Sequence, residues 1–404
     1  MRKKSDLRIW LGLISLTLMH GANHALMIVL FLAPFFPQMR LALGIENPGH
    51  MQLMSTLNLM VYALSSLPMG LLGDRYPKTR ILSIAMALNG LAIMGLGFTE
   101  KYWLLMLFAI AGGFMGGGFH PISQALVTEL MPDKKGVGLG VMGIGSSIGY
   151  IMAPLLANGA ADIFNKYSWQ NASIIIGGIG ILVAFIFTII TLDLSKGINS
   201  KSQEDHVSDW SGFPWKFVGT MILVFGLRDI IGYGIYPLTS GFYQEGLSID
   251  RSNVAWFLSL YYLPGLIAQP FFGATSDRLQ RDKIVMPALC LMAIAMFTTP
   301  WLVKISPALP ILSLGAAMSS TVPTIDAFVA DGVPLKYRGR AFGLLFTFGI
   351  GIGSLGPMIL GYAAYKLGFP GAYLFSGLIP LTAGIIIWIL SKTSHAKKGQ
   401  KGLS

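Results

Sequence analysis

The sequence is poor in charge. Only 12% of its 404 residues are Asp, Glu, Lys or Arg and 53% are hydrophobic, whereas a soluble domain carries roughly 25% charged residues. Cysteine is almost missing: with Cys290 alone, neither an internal disulfide nor a thiolate metal framework can form. No glycine-rich stretch ends in Gly-Lys-Ser/Thr, which excludes a nucleotide cradle of that kind and, with it, ATP-driven work. No Ser-His-Asp grouping and no metal-ligand set is evident, so neither an enzyme nor a cofactor is expected. The formal charge of +11 does not point to nucleic acid, because the basic residues fall in short segments between apolar runs and in the tails.

What the chain does have is a succession of apolar runs. Each is about twenty residues long, enough to cross the roughly 30 Å hydrocarbon layer as a helix. Twelve spans are expected, at 9–33, 51–72, 80–99, 102–130, 136–160, 170–193, 214–240, 252–275, 283–303, 307–330, 337–362 and 371–391. Met1-Arg2-Lys3-Lys4 ahead of the first run mimics a signal peptide. The run continues for about 25 residues with no small-residue cleavage site, so it reads as an uncleaved span. One long polar connector separates six spans from six. The expected organisation is a first bundle over 1–193, a linker over 194–213, a second bundle over 214–391 and a polar, basic, unstructured tail over 392–404.

Charge fixes the orientation. With both termini in the cytoplasm, Arg40, Lys101, Lys166, Arg251, Lys304 and Lys366 face out and Arg228 lies inside a span, leaving 22 of the 29 Lys and Arg on the inner side. Such a bias in short loops follows the positive-inside rule and suits a plasma (inner) membrane protein.

The halves are copies of one another. Gly70-Leu71-Leu72-Gly73-Asp74-Arg75-Tyr76-Pro77-Lys78-Thr79-Arg80 recurs 203 residues later as Gly273-Ala274-Thr275-Ser276-Asp277-Arg278-Leu279-Gln280-Arg281-Asp282-Lys283. The same offset relates Pro34 to Pro237, Gly136 to Gly339, Gly140 to Gly343 and Pro154 to Pro357, and one residue of slippage relates Glu129 to Asp331. A polar loop of this pattern, duplicated between hydrophobic helices, resembles the signature loop of the major facilitator superfamily, and the resemblance covers the whole chain. It implies an all-α polytopic membrane protein of twelve transmembrane helices in two six-helix bundles related by a pseudo-twofold, with a site between the halves near the midplane. It also implies a gating role for Asp74, Arg75 and Arg80 and for Asp277, Arg278 and Lys283 in the second copy, with Glu129 and Asp331 as natural partners. A carboxylate at such a loop is favoured by the positive end of a facing helix. The glycines of the fifth and eleventh spans, ending at Ala153-Pro154 and Gly356-Pro357, suggest close helix packing that supports rocking, and resemble the family's antiporter motif only weakly.

Ionisable side chains at membrane depth cost at least ~2.5–3.5 kcal/mol each, so they mark wet cavities or partners. They occur as His20 and His24 in the first span, His120 in the fourth, Arg228 and Asp229 in the seventh, and Asp326 in the tenth, the spans that line the cavity in the superfamily. His20, Asn23 and His24 share one helix face. Substrate contact is expected from His20, Asn23, His24, His120, Gln124, Arg228 and Tyr233, and proton coupling from His24, His120 and Asp326. Arg228 offers a permanent planar fork for a carboxylate or phosphate. If it is paired internally instead, Asp326 is the expected mate, since the neighbouring Asp229 should point away on a helix.

The expected function is secondary transport of a small organic anion by alternating access, coupled to protons, in a monomer whose partners are that substrate, protons and lipid. The alternative is proton-driven export of an antibiotic or amphiphilic metabolite: Phe119-His120-Pro121 resembles a segment of fosmidomycin-resistance exporters, although the fourth-span arginine of many drug-proton antiporters has no counterpart. A non-transporting receptor would need a soluble signalling domain, for which the linker and tail are too short.

Overall fold

The computed structural model describes residues 2–131, 135–163, 169–192, 210–278, 282–334 and 337–401; among them helices and turns account for the regular structure and no strand occurs. Eight helical segments follow the expected spans two to seven, nine and ten: Pro48–Gly73, Lys78–Leu96, Tyr102–Leu130, Val137–Asp162, Trp169–Thr191, Trp215–Gly246, Lys283–Leu302 and Ala308–Gly332. A ninth, Arg338–Lys392, is long enough to hold the last two spans. They are parted at Gly368, whose φ of 69° a side chain would strain. The helix runs on to Lys401, so most of the tail expected to be unstructured is helical.

Proline and backbone breaks explain why the first and eighth spans are discontinuous. The first helix, Arg2–Ala25, ends where Met27 turns extended, and the chain resumes as Ile28–Phe31. Pro34 then starts a short 3-10 turn and Pro37 sits in the first turn of Phe36–Ala42. In the eighth span, Arg251–Leu260 is separated from Gly265–Arg278 by turns ending at Pro264, which has no N–H to give and disfavours helix at the residue before it. Large side chains such as Ile84, Leu91, Phe185 and Ile189 point outward from the third and sixth spans. Exposed apolar faces of this extent belong against lipid, where a helix satisfies its own backbone.

The chain forms two compact units. The first comprises Met1–Glu46, His50–Asp209 and Tyr243–Ser259. Its first and fifth spans touch backbone to backbone: a Cβ at Gly145 would fall on the carbonyl oxygen of Thr17, and one at Gly149 on that of Gly21. By contrast Gly140 and Gly143 face open space. Small residues thus serve the close approach expected from the sequence, but only on one face of the fifth span.

The segment Tyr243–Ser259 joins this unit through polar contacts that the sequence, which marked Arg40 and Arg251 only as loop charges, did not reveal. The Arg251 fork donates from Nε to Asn158 Oδ1 at 2.9 Å and from Nη2 to Asp162 Oδ1 at 2.6 Å, and its guanidinium lies 4.7 Å from the Phe35 ring centre. Arg40 pairs with Glu245 at 3.0 Å, and Gln244 donates to the Pro34 carbonyl. Asp250 caps the Arg251–Leu260 helix. The Asn253 N–H donates to its Oδ1, and that bond holds the carboxyl below the usual carboxylate range. Because a lysine cannot hold Asn158 and Asp162 at once, Arg251→Lys is expected to weaken this anchoring by about 1–2 kcal/mol. Faster amide hydrogen exchange confined to 251–260 would register it.

The second unit comprises Asn47–Gly49, Trp210–Phe242 and Leu260–Ser404. Its core joins the seventh, ninth, tenth and twelfth spans through Met221, Val224, Leu289, Ile325, Val329 and Ile387, all essentially buried. The seventh span is covered nearly all round from Val224 to Ser240. A helix so enclosed exposes little to lipid and is free to carry charge inward.

Candidate functional site

In the first unit the two histidines of the first span meet the one from the fourth. His20 and His24 lie at i and i+4, with Nε2 atoms 3.1 Å apart. His120 follows the break in the fourth span at Gly118 and brings its ring to 5.1 Å from that of His20 and 5.4 Å from that of His24, centre to centre. The His20 Nδ1 sits 2.8 Å from the Met142 carbonyl, which can only accept, so Nδ1 carries the proton. The Phe119 ring stacks on His20, and Tyr150 lies over His24 at 4.2 Å. Asn23, on the same face, donates to the Tyr62 hydroxyl at 3.1 Å. His20, Asn23 and His24 are buried and His120 is partly open. Of the other expected substrate contacts, Gln124 is exposed one turn past His120, and Tyr233 is half-buried on the seventh span. One sequence expectation is corrected here. A set of three potential metal ligands does exist, hidden because its third member comes from a separate helix.

In the second unit the charged residues gather around the seventh span. The Arg228 Nη2 lies 2.8 Å from Asp229 Oδ1, and both side chains are buried. The expectation that Asp229 would point away is therefore wrong: the arginine stem is long enough to fold back along the helix to its neighbour. The guanidinium also sits 4.8 Å from the Phe225 ring centre. Asp326, half-buried on the tenth span, lies within electrostatic reach of both Arg228 and Asp229, as does the Tyr261 hydroxyl. Among the described residues Arg228 Nε and Tyr261 Oη are buried donors with no hydrogen-bond partner. Leaving such donors unpaired costs about 1–3 kcal/mol each, so they mark a place where a polar group can bind.

In its first copy the duplicated loop differs from its expected pairing. Lys78, at the start of the third span, pairs with Glu129 at 2.9 Å and is nearly buried. Arg75 and Arg80, expected to make this contact, are exposed. Lys78 leads its helix inward while Arg75 ends the preceding one, which explains the exchange of roles. Lys283 and Asp331 are exposed. The side chains of Asp74, Asp277 and Arg278 lie outside the described residues.

Similar proteins agree with this architecture. Multidrug resistance protein MdtG of Proteus mirabilis is 25% identical over 408 residues, covering 96% of each chain. Among solved structures, a bacterial homologue of the human lysosomal transporter Spinster in an inward-facing, unoccupied conformation matches with a TM-score of 0.76 and 16% identity, over 96% of this chain and 97% of that one. The nucleoside transporter NupG matches with a TM-score of 0.75 and 12% identity, over 94% and 99%. The model of the Major Facilitator Superfamily fits twice, over residues 13–227 and again over 221–404. This doubled match covers both copies of the polar loop, and on it the chain belongs to the Major Facilitator Superfamily of membrane transporters.

Proposed function

We propose that this transporter moves a small organic anion by alternating access, together with protons handled by Asp229 and Asp326. The observation that carries the proposal is the buried Arg228, which spends one nitrogen on Asp229 and keeps Nε unpaired, with the unpaired Tyr261 hydroxyl within electrostatic reach. A proton arriving at Asp229 weakens its hold on Arg228 and leaves the guanidinium able to take a carboxylate or phosphonate. An anion leaving returns Arg228 to Asp229 and drives the proton off. The cargo anion and the Asp229 carboxylate thus compete for one arginine. A gradient is sufficient as the energy source, since one proton crossing 100 mV releases ~2.3 kcal/mol. The Lys78–Glu129 pair acts as a latch in the opening cycle. The charge bias supports both termini lying in the cytoplasm of a plasma (inner) membrane, and the proposed working unit is a monomer.

A second reading, proton-driven export of an amphiphilic compound, is favoured by the likeness to MdtG, named as a multidrug resistance protein. Proteoliposomes with an internal pH dye separate the two. With panels of carboxylates, phosphonates and cationic drugs, the first reading expects a pH change with anions only. It also expects Asp326→Asn to abolish that change while leaving the protein monodisperse. Accumulation that persists under a protonophore would remove proton coupling. A signal from cationic drugs alone would select the second reading.

A further inference from the structure

We propose that His20, His24 and His120 form a binding site for one divalent transition-metal ion of the zinc type. The proposal is independent of what the second unit carries. One nitrogen from each ring can be chosen so that all three lie within 4.8 Å of one another. Three nitrogens at ~2.0–2.1 Å from a tetrahedral zinc ion stand roughly 3.3 Å apart, so the 3.1 Å between the Nε2 atoms of His20 and His24 already matches a metal-bound pair.

The hydrogen bonding around the rings points the same way. Histidines that ligate metals donate their other ring N–H to a carbonyl or similar acceptor, which fixes the tautomer and frees the second nitrogen. His20 does this from Nδ1 to the Met142 carbonyl. His24 turns its Nδ1 to the Met27 sulfur at 3.2 Å, also an acceptor. With His24 protonated at Nδ1, both Nε2 atoms are without protons and their lone pairs face each other; with His24 protonated at Nε2, that N–H donates to His20 Nε2. Two facing lone pairs at this distance repel unless a cation lies against them. In the second tautomer the Nδ1 lone pair of His24 would oppose the sulfur, and His120 would have no part.

Neutral imidazole suits zinc, copper, nickel and cobalt ions rather than magnesium or calcium. Three protein ligands leave the fourth tetrahedral position open, as in metal sites that take water or an exogenous anion. His120 is the least buried of the three and supplies the approach. Packing by Phe119 on His20 and by Tyr150 over His24 holds the rings in place before any ion arrives.

The test uses the full-length protein in lipid nanodiscs with any polyhistidine tag removed, and the metal alone as probe. Titration with Zn2+ is expected to give one saturable equivalent with a dissociation constant of about 1 µM or below. His20→Gln, His24→Gln and His120→Gln should each weaken binding about 100-fold or more, because each removes a ligand outright. His50→Gln, at the start of the second span, should leave binding unchanged. Co2+ bound to the wild-type protein should show the intense visible bands of a tetrahedral nitrogen site. That readout needs no variant to fold. No saturable equivalent in the wild type, an octahedral Co2+ spectrum, or equal binding after loss of any one of the three histidines would each overturn the proposal.

Discussion

Replacing Arg228 by methionine is expected to lower the unfolding free energy by about 3–5 kcal/mol, because it leaves Asp229 buried without its counter-charge. The loss is large for a reason that concerns the partner more than the arginine. Taken as a pair, the two ions gain little over well-packed apolar side chains; broken, the pair strands a carboxylate in a low-dielectric interior. The double variant Arg228→Met with Asp229→Leu is therefore expected to recover most of the stability while transport stays absent. Thermal unfolding in detergent, read beside uptake in proteoliposomes, measures both. If the double variant were as unstable as the single one, the pair would be holding the seventh span by packing and not by charge. If it transported normally, neither residue would belong to the site.

The second large effect is steric. Gly145→Val is expected to abolish folded, monodisperse protein, while Gly143→Val is expected to change the melting temperature little. A side chain at Gly145 meets the Thr17 carbonyl, which belongs to a helix backbone and cannot step aside. Overpacking a fitted interior costs about 1–3 kcal/mol even where side chains can give way, and more where they cannot. Gly143 has nothing within 4 Å of where its Cβ would stand. Fluorescence-detected size exclusion of the two variants, two residues apart on one helix, compares contact with mere composition. Equal behaviour would mean that the first and fifth spans are not in backbone contact.

Several of these features were readable from the sequence and several were not. Helical periodicity sets His20 and His24 on one face, and the cost of charge in lipid singles out Arg228, Asp229 and Asp326. The internal repeat announces two copies of one bundle, matched by the doubled family assignment. Long side chains defeat such reasoning. Helix geometry sends adjacent Cβ atoms apart, but it does not limit where the end of an arginine goes, and Arg228 returns to Asp229. Lys78 looks like one more loop cation until the Lys78–Leu96 helix carries it to Glu129, 51 residues away in sequence. The ties of Arg251 to Asn158 and Asp162 span 93 and 89 residues, and no local pattern announces them. Many span boundaries were legible to within a few residues, but not the breaks at Met27, Gly118 and Pro264 or the run of the last helix to Lys401.

Gly21, Gly145 and Gly149 bring the backbones of the first and fifth spans into direct contact, which ties the two helices together. The first carries His20 and the fifth carries the Met142 carbonyl to which His20 is bonded. The Met142 carbonyl thereby holds the proton of His20 on Nδ1, and the Nε2 lone pair faces His24.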